Sequence, residues 1–208
     1  MSLLLLVPSH LESARMALPQ RPGVEVLNCG VGLLAAGLST ARRLAAGGVE
    51  RVVLVGLAGT RDKLRVPLGT LVAGTAVRDQ AFGAGHGRSF LGLHEMNLPD
   101  GDALPSLLPL DDPGIPGAFP CVLGSVAAAS DSVSQAVTWR RRHPDTLVEE
   151  MEGYAVALAS RQANVPVSVV RAISNLAGDR DLSNWQLTPA FDALNRALVA
   201  LMPPAAPR

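Results

Sequence analysis

Three side chains in this sequence stand where an α/β protein gathers its chemistry: the carboxylates of Glu12 and Glu152 and the amide of Asn175. Glu12 follows an apolar run of strand length, LLLLV, across the break Pro8-Ser9-His10, and so sits at a strand-to-helix junction. Glu152 stands at the start of EGYAVALASRQA, whose apolar residues recur at helical spacing, and Ser174-Asn175 closes VSVVRAIS, a largely β-branched run. Ligands bind at the carboxyl ends of strands in open α/β sheets, so Glu152, Ser174 and Asn175 can face one site. A carboxylate there can activate water or bond hydroxyl groups, and an amide offers both a donor and an acceptor. An acid at a helix start is also favoured by the helix dipole, and the residues alone leave both readings open.

The elements that must hold these groups alternate along the chain. After LLLLV and the short helix LESARMAL comes the strand VEVLN, which Cys29-Gly30-Val31-Gly32 turns into the helix LLAAGLSTARRLAAG, closed by Gly47-Gly48. RVVLVGLAGT is a third, buried strand running into the small-residue turn Ala58-Gly59-Thr60, where main-chain amides can approach a ligand. LRVPLGTLVAGTAVRD reads as a turn and a strand, and CVLGSVAAAS as a strand ending at Ser130-Asp131-Ser132. SQAVTWRRRHP is a helix with a basic last turn, as its dipole favours. Asn164-Val165-Pro166 separates the helix after Glu152 from VSVVRAIS, and TPAFDALNRALVALM is a closing amphipathic helix before the frayed tail PPAAPR. Residues 80–119 are rich in Gly and Pro without sustained periodicity and read as loops carrying specificity or a subunit interface.

Composition narrows the function classes. With 208 residues and 48% apolar composition, one globular domain with a sizeable core is expected. Charges balance at 18 against 18 with no long basic run, and aromatic residues make up 3%, so a nucleic-acid surface is not indicated. LLLLV is too short for a membrane span and lacks a basic leader, which leaves no membrane partner. Cys29 and Cys121 lie in apolar contexts and read as buried thiols of a reducing, cytoplasmic compartment. His86 and His94 match no zinc spacing, so no metal is expected. GVGLLA satisfies a GxGxxA pattern, but the acid about 20 residues on, Glu50, precedes a strand instead of ending one. Close packing explains these glycines better than a dinucleotide, and no cofactor is expected.

The order MEG-A-A, VP, VVRAISN and GDRD, together with Glu12, the GVG helix start and VGLAGT, resembles the nucleoside phosphorylase/nucleosidase superfamily. Within it the sequence is most similar to the 5′-methylthioadenosine/S-adenosylhomocysteine nucleosidases and, closest, to the futalosine hydrolases. The resemblance covers most of the chain except residues 80–119. It implies a single α/β domain over residues 1–208, with a mixed central β-sheet flanked by helices on both faces. It also implies a homodimer whose 80–119 region reaches toward the neighbouring pocket.

What the resemblance implies for the site is a nucleoside bound without metal or cofactor. Glu12 activates the attacking water, Glu152 bonds the ribose 2′- and 3′-hydroxyls, and Met151 packs on the sugar. Ala58 and Gly59 lie near base and ribose, and Arg171 helps hold the water. Val133 stands roughly where an aromatic residue stacks on the base in the family nucleosidases, so aliphatic packing is expected there. Leu57 replaces a serine common in the family. Asn175, supported by Ser174, replaces the aspartate of adenine-specific enzymes; its paired donor and acceptor suit a 6-oxopurine such as hypoxanthine. That agrees with futalosine, an inosine-like nucleoside with an acylbenzoate at its 5′ end, cleaved to hypoxanthine and dehypoxanthine futalosine in menaquinone biosynthesis. Arg78, Arg88 and His86 are candidates for the substrate's 5′ carboxylate.

Three rival readings remain in view. A methylthioadenosine/S-adenosylhomocysteine nucleosidase would release adenine. A purine nucleoside phosphorylase needs a phosphate pocket, yet the segment from Pro8 to Leu11 has no arginine and leads into Glu12, whose charge repels phosphate. A non-catalytic nucleoside-binding protein would be expected to lack Glu12 or Glu152, and both are present. Serine hydrolase chemistry lacks its GxSxG elbow.

Overall fold

The computed structural model describes residues 2–85, 89–96 and 104–202, with the side chain of His94 left aside. The elements in chain order are β1 Leu3–Val7, α1 His10–Ser13, β2 Val24–Asn28, α2 Leu33–Ala45, β3 Arg51–Thr60, β4 Leu71–Asp79, β5 Gly83–Ala84, β6 Leu91–Gly92 and β7 Leu107–Pro109. They continue with β8 Phe119–Ser125, α3 Val133–Arg142, β9 Thr146–Glu150, α4 Gly153–Gln162, β10 Val167–Leu176 and α5 Leu187–Leu201.

The main sheet is mixed and closes on itself. β3 pairs in parallel with β10, β10 antiparallel with β4, β4 in parallel with β8, β8 in parallel with β9, and β9 antiparallel with the end of β3. β1 and β2 extend it in parallel from β3. Closure carries the ends of β3, β9 and β10 to one place: Gly59 stands opposite Glu149 on one side and Asn175 on the other.

Alternation along β1 divides the apolar interior in two. Leu4 and Leu6 pack with Ala36 of α2 and Val156 of α4, whereas Leu3, Leu5 and Val7 pack with Phe191, Leu194 and Leu198 of α5. Strands covered on both faces must be apolar at nearly every position, which explains LLLLV, RVVLV and VSVV. No helix among the described residues is long and apolar enough to cross a membrane.

Two differences from the sequence reading concern the site. TLVEE forms β9, a fully buried strand, although it carries only two large aliphatic residues and ends in two acids. β8 stops at Ser125, and residues 126–132 form an irregular segment instead of continuing as strand to Ser130. Both have one cause: Glu149 and Glu150 are paired internally, and Ser130 turns inward to serve Glu149. Among its described residues the 80–119 region is mostly irregular as expected, with three short strands and a 3-10 turn at Leu93–Met96. The tail residues 203–208 lie outside the described residues.

Candidate active site

Where β3, β9 and β10 converge, a pocket of about 250 Å³ opens, lined in part by Glu12, Ala58, Gly59, Met151, Glu152, Ser174 and Asn175. These seven came from four separate stretches of sequence. Arg171 and Val133 are absent from that lining. Arg171 is fully buried behind the pocket, and Val133 begins α3, 45% exposed. Val133, expected to pack on the base, thus stands outside the lining, and Ala129, in the segment that leaves β8 early, is part of it.

Glu12 is fixed by its local sequence. Ser9 caps α1 by accepting from the Glu12 amide at 3.2 Å, and its hydroxyl donates to Glu12 Oε2 at 2.6 Å, a variant of the reciprocal capping box. Glu12 Oε1 accepts from the Leu57 amide at 2.9 Å, which ties the acid to β3. Each oxygen thus has one anchoring donor and lone-pair capacity left for a substrate or water.

Glu152 sits at the N-cap of α4, but its carboxylate makes no capping bond to its own helix. Oε1 accepts from the Gly32 amide at 2.8 Å and Oε2 from Arg171 Nη2 at 2.9 Å. The helix-dipole reading thus has a tertiary answer: the carboxylate serves the start of α2. Gly32 has φ 86, which glycine adopts without strain, and this orientation directs its N–H at Glu152. The place where a dinucleotide's pyrophosphate would meet that helix is taken by a carboxylate.

Glu150, unremarked in the sequence, is the anchor of the arrangement. It accepts from Arg171, the Ser125 hydroxyl, the Glu152 amide at 3.0 Å and the Gly153 amide at 2.7 Å. One buried carboxylate thereby fixes the ends of β8 and β9, the start of α4 and the arginine of β10. Burial opposes the charge of Arg171, but Glu150, Glu152 and Glu12 outweigh it and hold the guanidinium protonated. Burial likewise pushes the Glu152 carboxyl above its ordinary value; Arg171 and the Gly32 amide oppose that shift, and Glu150 and Glu12 reinforce it. Arg171 forms its ion pairs with Glu150 and Glu152.

β3 passes between Arg171 and Glu12 at Gly56. A Cβ there would lie 2.5 Å from Arg171 Nη1 and 2.7 Å from Glu12 Oε1, so only glycine admits both groups. Beyond the acids, the pairing of β10 with β3 shifts register between Ile173 and Asn175. Such a bulge re-aims side chains. Asn175 Oδ1 accepts from the Ser174 hydroxyl at 2.9 Å and Nδ2 donates to the Leu176 carbonyl at 3.0 Å, leaving each amide atom capacity for one further bond.

At the back, Arg61 pairs with Glu149 at 2.9 Å, and Glu149 also accepts from Ser130 N at 2.7 Å and Oγ at 2.6 Å. Arg61 stacks over the Trp139 ring. Arg78 donates to Asp145 and Thr146 at the opening of β9, the end away from the pocket acids, and so is engaged elsewhere; His86 and Arg88 lie outside the described residues. Among the described residues no group of three or more His, Cys, Asp or Glu side chains is arranged to hold a metal.

Comparison with known proteins fits this geometry. The family model described as "Phosphorylase superfamily" matches residues 20–201. This chain belongs to the phosphorylase superfamily. Among superfamily members, it is 32% identical over 198 residues to the futalosine hydrolase of Streptomyces coelicolor, covering 88% of this chain and 84% of the relative. It is also 32% identical over 187 residues to the futalosine hydrolase of Thermus thermophilus, covering 86% and 81%. A Helicobacter pylori 5′-methylthioadenosine/S-adenosylhomocysteine nucleosidase, solved with butyl-thio-DADMe-Immucillin-A, superposes with TM-score 0.76 at 16% identity, covering 97% of this chain and 96% of that one. The superfamily's α/β fold with a mixed central sheet is thus the fold of this chain.

Proposed function

We propose that this protein is a nucleoside N-ribosyl hydrolase that cleaves futalosine, releasing hypoxanthine and leaving dehypoxanthine futalosine. The observation that carries the reading is the convergence of two independently anchored carboxylates, Glu12 and Glu152, on one pocket with Asn175 at its rim strand. Two relatives sharing 32% identity over most of their length carry the name futalosine hydrolase, which supports the substrate.

Departure of a base from ribose leaves positive charge on the sugar and negative charge on the base, so the site must supply an anion near the sugar, a water activator and a donor near the base. Glu152, with one oxygen on Arg171 and the other on Gly32, presents its remaining lone pairs to the ribose hydroxyls, and Met151 packs on the sugar. Glu12, held between Ser9 and Leu57, orients a water and takes its proton. Asn175 and Ser174 bond the edge of a 6-oxopurine, with Ala58 and Gly59 bringing main chain close to base and ribose. Arg171 acts from behind, positioning Glu152 and keeping its charged form accessible.

Water is favoured over phosphate as the nucleophile because Glu12, in the lining, is anchored by neutral donors and has no ion pair among the described residues. A dianion entering beside it would be repelled. The protein acts as a homodimer through the α2–α4 face, where Leu34 (78% exposed), Leu38 (64%) and Val31 (59%) border an apolar groove reaching Phe82. Two buried, unpaired thiols, Cys29 and Cys121, accord with a cytoplasmic enzyme of menaquinone biosynthesis; burial pushes both up to about 12.

The deciding experiment measures free base released from futalosine, inosine and methylthioadenosine, each with and without phosphate. Hypoxanthine from futalosine independent of phosphate is expected. Adenine release would point to the methylthioadenosine reading, phosphate dependence to a phosphorylase, and no release from any of the three to a binding protein.

A further inference from the structure

The pocket is acidic, and the two arginines buried behind it are already committed. Arg171 is paired with Glu150 and Glu152, and Arg61 with Glu149. A substrate that itself carries a carboxylate therefore needs a separate cation to enter.

Arg180 meets that need. It belongs to the pocket lining, is exposed, and its guanidinium has no hydrogen bond or ion pair among the described residues. Its two acidic neighbours do not neutralise it by direct pairing. Asp179 accepts from the Asp181 amide at 3.0 Å and from Asn184 Nδ2 at 3.0 Å, and Asp181 accepts from the Ser183 amide at 3.0 Å and hydroxyl at 2.7 Å. The GDRD segment is thus a braced turn that uses its aspartates internally and presents its arginine.

The brace extends to an aromatic neighbour. Trp185, half-buried in the same lining, donates its indole N–H to the Asp179 carbonyl at 3.2 Å, and the Gln186 amide donates to the Ser174 carbonyl at 2.7 Å. Gly178, with φ 87, lets the turn press on the start of α3; a Cβ there would lie 2.1 Å from the Ser132 carbonyl carbon. Ring and guanidinium are held on one short segment next to the site that Ser174 and Asn175 occupy.

Resting on the nucleosidase reading above, we infer that Arg180 and Trp185 form the subsite for an anionic aryl group at the substrate's 5′ end. Trp185 packs on the aromatic ring, and Arg180 pairs with its carboxylate through the planar fork that suits bidentate recognition. The substrate's charge is then read at the pocket mouth, away from the four interior acids.

The test compares kcat/KM for futalosine with kcat/KM for its methyl ester in the wild type, Arg180→Gln and Arg180→Glu. Removing the cation should lower the acid-to-ester ratio by about 10- to 100-fold, through KM for the acid, and charge reversal should lower it further. Arg180→Lys should restore part of the ratio, since the charge returns without the fork. A ratio that stays at the wild-type value in Arg180→Gln and Arg180→Glu overturns the assignment, and so does an equal loss on acid and ester, which would mark Arg180 as a brace of the turn. A wild-type protein that releases no base from futalosine would instead remove the futalosine reading, and this subsite with it.

Discussion

Gly32 donates its main-chain N–H to Oε1 of Glu152 at 2.8 Å, although 120 residues separate them. The bond joins the starts of α2 and α4, and with Arg171 on the other oxygen it leaves the carboxylate a single orientation toward the pocket. Several expected outcomes stem from this fixed acid and its neighbours.

Glu152→Gln and Glu12→Gln should each lower base release by about 10²–10⁴-fold while the protein stays folded, because each amide keeps an acceptor oxygen for one of the two anchoring donors but loses the charge. Steady-state assays with circular dichroism check both. Turnover within threefold of wild type in either variant would remove that residue from the mechanism.

Activity should fall on acidification with a midpoint above the ordinary carboxylate value of 4.5, because burial raises the Glu152 carboxyl and its charged form is the one required. Stability moves the other way. A carboxyl whose pKa rises on folding stabilises the native state most at pH below its unfolded value, and that contribution is lost as pH climbs through the raised native value. The Tm of wild type relative to Glu152→Gln should therefore increase as pH falls through this window, while kcat/KM decreases. Parallel movement of the two quantities would contradict the assignment.

Arg171→Met should destabilise the fold by about 3–5 kcal/mol, since it leaves Glu150 and Glu152 buried without their cation. Urea denaturation measures this as a lowered midpoint. A midpoint close to that of wild type would mean that the acids find other partners or a proton.

Gly56→Ala adds one methyl group between Arg171 Nη1 and Glu12 Oε1. Displacement of the acid by a fraction of an ångström to 1 Å should lower kcat by about 10²-fold. Wild-type kcat would show that the strand can yield without moving Glu12.

Asn175→Asp should weaken cleavage of 6-oxopurine nucleosides and shift preference toward adenine, because the carboxylate replaces the amide donor at the end of β10. Release of hypoxanthine and adenine from paired substrates measures the ratio; an unaltered ratio would place base recognition elsewhere.

Local sequence determined much of this protein. The apolar runs of β1, β3 and β10 mark strands covered on both faces, Ser9-x-x-Glu12 writes its own helix cap, and Asn164, with φ 55, ends α4 where the break before Pro166 announces it. Those signals depend on neighbours within a few residues, so a single chain displays them. The closure of the sheet, which puts Gly59 between Glu149 and Asn175, has no local signature. The role of Glu150 was illegible for the same reason: an acid ending a short strand looks solvated until Ser125, Arg171 and two amides gather around it. Arg180 could have been suspected from the GDRD turn, but only the folded chain shows its flanking aspartates spent on the turn itself and its guanidinium left at the pocket mouth. Long-range pairing decides which charges are neutralised inside the protein and which remain for a ligand, and that distribution exists only once the chain is folded.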